Sequence, residues 1–156
     1  KTYFSPDDDT TAAFLAFIQK AKREILIADY SFNLEPLVEL LIARRQAGVS
    51  VKLVLDRSQA AGPSERPEVA KLKAAGVPLV IGTSEHHKIM HNKFLVLTHK
   101  GKAQSVWTGS TNITENGLFG HLNCGILCSI RSNIDCPHRI HDKHECSQRS
   151  HRHLLC

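Results

Sequence analysis

MHNKFLVLTHKGKAQSVWTGSTN, residues 90–112, decides how the chain is read. It opens on polar residues and turns apolar at Phe94, Leu95, Val96 and Leu97, so residues 90–97 read as a strand with a polar head. His99-Lys100-Gly101-Lys102 reads as a hairpin turn, and residues 104–108 (QSVWT) as the returning strand. A hairpin brings its outer ends together. Gly109, Ser110, Thr111 and Asn112 therefore arrive, as a loop, at the edge from which His91, Asn92 and Lys93 set out. Residues two apart on a strand share a face, so His91 and Lys93 project together.

One imidazole, one ammonium, one hydroxyl and one carboxamide thus converge. That set suits a phosphate. Lys93 supplies charge, Ser110 and Asn112 supply neutral donors, and Gly109 lets the backbone come close. An imidazole in such a place serves as nucleophile or proton carrier near neutral pH. The triplet H-x-K alone carries little weight, because His86-His87-Lys88 and His141-Asp142-Lys143 match it too. Only the triplet at His91 leads into an apolar strand, a hairpin and a G-S-x-N loop. His87 and Lys88, just upstream, are candidates to extend the phosphate-binding surface.

Upstream, Asp9, Thr10 and Thr11 offer capping oxygens to a helix whose apolar stripe is Phe14, Leu15, Phe17, Ile18 and Ala21. Residues 24–31 (EILIADYS) read as a buried strand. A second helix starts near Glu35-Pro36, carries Leu37, Leu40, Leu41 and Ile42, and stops at Gly48. Residues 49–56 (VSVKLVLD) form the next strand, with Asp56 as a strand-end cap. A loop at 61–64, a weaker helix with Val69 and Leu72 closed by Gly76, and a strand at 77–81 (VPLVI) complete the series. Alternating helices and strands imply parallel pairing, and the hairpin adds antiparallel pairing. The expected fold class is α/β: a mixed, largely parallel β-sheet flanked by helices. Trp107, on the returning strand, belongs in its core.

Downstream, residues 124–130 (CGILCSI) read as one more strand. The composition then shifts, and residues 131–156 hold five of the ten His with little periodicity. The expected organisation is a catalytic domain over residues 1–130 and an irregular Cys/His-rich tail over 131–156. All five Cys lie between Cys124 and Cys156, an odd number that argues against a fully paired disulfide framework. The tail's Cys and His could ligate zinc, but their spacing matches no standard finger, so a solvated tail is the expectation and no metal is assigned. The chain begins at Lys1 and reads as a processed form.

Composition sets outer limits. The 156 residues suffice for one domain, and 42% hydrophobic residues with 22% charged ones support a packed core. No apolar run approaches the ~20 residues of a membrane span. Six Phe, two Tyr and one Trp disfavour a nucleic-acid binder built on an aromatic platform. A formal net charge of +5 admits a polyanionic partner.

His91-Asn92-Lys93, the strand FLVL and Gly109-Ser110-Thr111-Asn112 resemble the H-x-K and G-S-x-N motif of the phospholipase D superfamily, and the upstream order of elements fits as well. A single motif in a chain this short is similar to the family's bacterial endonuclease branch, whose members form homodimers. The resemblance implies that His91 attacks phosphorus to form a phosphohistidine. A second His91, from the partner subunit, would protonate the leaving oxygen and then activate water. Lys93 and Asn112 would hold the non-bridging oxygens, with a hydrogen bond from Ser110. No cofactor or metal is implied, the partner is nucleic acid, and a soluble protein of the bacterial cytoplasm or periplasm fits.

Two positions and the chain's end depart from the family pattern. Thr98 stands where the family usually has Asp. Asn123 stands at about the place of the residue that orients the nucleophilic His; an amide oxygen could accept the imidazole N–H there. The usual C-terminal helix is not legible after Ile130. The sequence therefore points to a metal-independent phosphodiesterase, a nuclease of low sequence specificity. Its alternatives are a phospholipid phosphodiesterase or phosphatidyl transferase, and an inactive nucleic-acid-binding protein with a zinc-binding tail.

Overall fold

A computed structural model of the protein describes residues 1–83, 88–100 and 102–129. The readings placed on His86, His87 and the tail at 131–156, zinc ligation included, fall outside those residues. In chain order the described elements are β1 (Thr2–Ser5), α1 (Thr10–Gln19), β2 (Glu24–Asp29), α2 (Glu35–Gln46), β3 (Ser50–Asp56), α3 (Arg57–Ala60), α4 (Arg66–Ala74), β4 (Leu79–Gly82), β5 (Lys93–His99), β6 (Lys102–Gly109), a π-helical turn (Asn116–Gly120) and β7 (Asn123–Ser129).

Local chemistry explains the helix limits. The Asp9 carboxylate accepts the Ala12 N–H at 2.9 Å, so α1 starts there. It buries Phe14, Phe17 and Ile18. In α2 and α4 a proline occupies the first turn, where its missing N–H costs nothing. Gly48 and Gly76 end these two helices at φ +85° and +71°. The short α3 is capped by Asp56, whose carboxylate accepts the N–H groups of Ser58 and Gln59.

The strands form one seven-stranded sheet in the order β1-β7-β6-β5-β2-β3-β4. The alternating helices produce the parallel pairings β2–β3 and β3–β4. The other four strand pairings are antiparallel, so the sheet is mixed as expected but not largely parallel, because the hairpin strands β5 and β6 pair antiparallel with each other and with β2 and β7, and β1 does so with β7; helices flank it. Strand alternation sends Ile25, Ile27, Val51, Leu53, Leu55, Leu95 and Leu97 into the core against Phe14, Leu37, Leu41 and Leu72. Trp107 joins them, stacked on Tyr3 at 5.2 Å and edge-on to Phe14 at 5.1 Å. The register places Phe4, Val54, Val80, Phe94 and Ile126 together on the opposite face, where all are exposed.

Three differences from the sequence expectations bear on the site. Strand β5 begins at Lys93, so His91 and Asn92 form a lead-in just outside it. That lead-in is still tied to β2, because the Tyr30 N–H donates to the Asn92 carbonyl at 2.8 Å. The chain start contributes β1, an edge strand on β7 that four residues of sequence did not announce. The π-helical turn closes against α1 and β1.

Candidate active site

Strand direction assembles the site. β2 ends where β5 begins, with Asp29 opposite Lys93. β6 ends alongside, with Thr108 opposite Phe94 and the Thr108 hydroxyl donating to the Lys93 carbonyl at 3.1 Å. The polar head of the H-x-K strand and the G-S-x-N loop therefore share one sheet edge. His91, Asn92, Lys93, Phe94, Thr108, Gly109 and Ser110 line one open pocket there, of about 370 Å³.

His91 is exposed, and its ring lies 4.6 Å from that of Tyr30 at 58°. The Lys93 Nζ sits 3.1 Å from His91 Nε2 and 3.4 Å from the His91 carbonyl oxygen. An ammonium can only donate, so this contact is a hydrogen bond in the tautomer that leaves Nε2 free to accept, with the ring proton on Nδ1. Lys93 also stands 5.2 Å from the centre of the Tyr30 ring, a cation–π distance. Partial burial draws its pKa below the ordinary lysine value, and the Asp29 charge works the other way.

Gly109 is required by packing. A Cβ there would lie 2.1 Å from the Cys124 carbonyl oxygen, and its φ is +156°. That carbonyl accepts from the Ser110 N–H at 3.1 Å and the Thr111 hydroxyl at 3.2 Å, so it is fixed from two sides. The Ser110 hydroxyl accepts the Cys124 N–H at 3.1 Å and donates to the Asn123 amide oxygen at 2.9 Å. Asn112 is half-buried just beyond, and its Oδ1 is enclosed without a hydrogen-bond partner among the described residues.

Asn123 differs from expectation. Its oxygen takes the Ser110 hydroxyl and its Nδ2 donates to the Gly117 carbonyl at 3.0 Å. The π-helical turn brings that carbonyl within reach, and the amide braces Ser110 in place of the His91 ring. Lys88 is exposed and is not among the residues lining the pocket. Asp56 is the cap expected of it, and its other oxygen accepts the Met90 N–H at 2.7 Å, which tethers the approach to His91. Thr98, in the position where the family usually has Asp, donates its hydroxyl to Glu24, its cross-strand neighbour.

Asp29 and Tyr30 are the residues that sequence reading missed. Both stand in the strand reading EILIADYS. The β2–β5 register sets Asp29 opposite Lys93, and the Tyr30 ring packs beside that of His91.

The family model described as cardiolipin synthase, PLD-like domain, matches residues 14–146, and the chain belongs to this phospholipase D-like family. Among solved structures it is similar to a phospholipase D family member, Nuc from Salmonella typhimurium. The two are 25% identical over 83% of this chain and 81% of that one, with a TM-score of 0.74. NucT from Helicobacter pylori shares the fold at 15% identity, 81% and 82% coverage and a TM-score of 0.66. The phosphatidylserine synthase of Haemophilus influenzae Rd KW20 shares it at 11% identity and a TM-score of 0.61, over 85% of this chain and 35% of that one. No curated protein matches the chain.

Proposed function

We propose that the protein is a metal-independent phosphodiesterase that hydrolyses nucleic acid with little sequence preference, working as a homodimer. The observation that carries this reading is the Lys93 Nζ at 3.1 Å from His91 Nε2, at the mouth of a pocket shared with Gly109 and Ser110. An incoming phosphate oxygen draws the ammonium off Nε2 and leaves its lone pair free. Nε2 attacks phosphorus, the P–O bond to the leaving oxygen breaks, and His91 of the partner subunit gives that oxygen a proton. The same imidazole then takes a proton from water. The hydroxide attacks phosphorus, and the P–N electron pair returns to His91. Lys93 and the Asn112 amide N–H groups hold the non-bridging oxygens, and Ser110 adds a third bond by turning its hydroxyl proton from the Asn123 oxygen to the phosphate.

The two imidazoles must stand on opposite sides of one phosphorus. One motif per chain therefore calls for a two-fold axis through the site. Contacts to phosphate carry no base information, so low specificity follows. The net charge of +5 supports a polyanionic substrate. The description of the matched family favours one second reading, a phospholipid phosphodiesterase or phosphatidyl transferase.

The test is plasmid or single-stranded DNA incubated with the protein in excess chelator, beside phospholipid vesicles. Cleavage of DNA in chelator is expected. Loss of all cleavage on adding chelator overturns the metal-free mechanism, and turnover of vesicles alone favours the lipid reading. Sedimentation of the active fraction reports the dimer.

A further inference from the structure

Asp29 joins the two halves of the site. It ends β2 and is fully buried. Its Oδ1 accepts the Ser31 N–H at 3.0 Å and the Ile113 N–H at 3.4 Å, and Ile113 directly follows Asn112. Its Oδ2 has no hydrogen-bond partner among the described residues. Directly opposed residues on antiparallel strands send their side chains to the same face, and Asp29 is opposed to Lys93.

A charge in such a place is costly. Burial pushes the Asp29 pKa well above the usual carboxylate value, and the nearby Glu65 adds to the rise. Holding two backbone N–H groups needs no charge, because an amide oxygen would accept both. Among the described residues, the cation opposed to Asp29 in the strand register is Lys93, and its charge works against the rise. The titratable groups placed against Lys93, among the described residues, are His91 on its own lead-in, and Tyr30 and Asp29 from β2 and its end. β6 brings only Thr108 and Gly109, both uncharged.

We propose that Asp29 is a positioning residue: its carboxylate pins the Asn112 loop through the Ile113 N–H and keeps Lys93 an ammonium beside His91, so that an arriving phosphate meets a cation. The proposal rests on the phosphodiesterase reading for its consequence, but the electrostatic link can be measured without turnover. Burial alone favours the neutral amine, and Asp29 opposes it. Removing the Asp29 charge must therefore lower the pH at which Lys93 loses its proton.

The experiment follows Lys93 by NMR in lysine-labelled protein, assigned with Lys93→Met. Asp29→Asn keeps the acceptor for Ser31 and Ile113 and removes the charge. Its expected effect is a fall of about one pH unit in the Lys93 titration, the low end of what removing a nearby opposite charge produces. Coupling is reciprocal, so Lys93→Met must raise the Asp29 titration by the same amount, which keeps the test open if Asp29→Asn fails to fold. Where hydrolysis occurs, its alkaline limb in Asp29→Asn moves to lower pH. An unchanged Lys93 titration in Asp29→Asn, or an unmoved Asp29 titration in Lys93→Met, overturns the inference. If the wild type hydrolyses DNA and neither titration moves, this inference alone fails. If both move and the wild type hydrolyses no phosphodiester, the functional reading fails and the coupling stands.

Discussion

Gly109→Ala is the most severe small change the structure predicts. The added Cβ would lie 2.1 Å from the Cys124 carbonyl oxygen and 3.0 Å from its carbon, with the Gly125 Cα at 3.1 Å. All three are backbone atoms, so no side chain can swing aside. β7 must move away, and with it the carbonyl that anchors Ser110 and Thr111. The φ of +156° adds backbone strain for any L side chain. Strain of this kind costs ~1–3 kcal/mol and forced overpacking a further ~1–3 kcal/mol. For a chain of this size the lower end of that range already implies a fall in Tm of about 5 °C or more. Thermal unfolding by circular dichroism reads the change, with Gly82→Ala as the control because a Cβ there meets nothing within 4 Å among the described residues. Hydrolysis should fall at temperatures where the variant stays folded, since Ser110 shifts with the strand. A Gly109→Ala protein that melts with the wild type and keeps full activity would refute the packing argument.

Thr98→Asp puts two carboxylates opposite each other, because Thr98 pairs with Glu24 across β2–β5. The Thr98 hydroxyl is the largest of the influences that hold the Glu24 pKa below the usual glutamate value, with Lys52 next. A depressed carboxylate stabilises the fold above its unfolded pKa and loses that contribution as pH falls through the folded value. The substitution should therefore cost ~0.2–1 kcal/mol at neutral pH, less at high salt, and nothing once both acids are protonated. Urea denaturation at pH 7 and pH 3 tests this, and an equal deficit at both would count against it. Trp107→Ala empties a site 4% exposed between Tyr3, Phe14 and Phe17, and should cost ~3–5 kcal/mol by denaturant unfolding. A loss under about 1 kcal/mol would mean the stack is not built as described.

Long periodic stretches were legible. The apolar stripe of α1, the proline start of α2 and the β-branched run of β3 each agree with their tertiary surroundings, so local reading reached them. The hairpin and the shared edge for His91, Lys93, Gly109 and Ser110 followed from strand geometry alone. β1 was not legible, because Thr2–Ser5 is too short for a period and is held as a strand by β7, more than a hundred residues on. The π-helical turn left no signal in NGLFG, and it is what turns Asn123 toward Gly117 and Ser110. Asp29 read as the end of a buried strand. Its place opposite Lys93 depends on which strand lies beside β2, a fact of topology with no local sequence mark.

The central claim is that His91 forms a bond to phosphorus. The direct measurement is an acid-free denaturing gel of a single-turnover reaction with end-labelled oligonucleotide in excess chelator. The account predicts a protein–DNA adduct that forms before product, is destroyed by acid as a phosphoramidate should be, maps to His91 and is absent in His91→Ala. Product formed at full rate with no adduct, or by the His91→Ala protein, would contradict it.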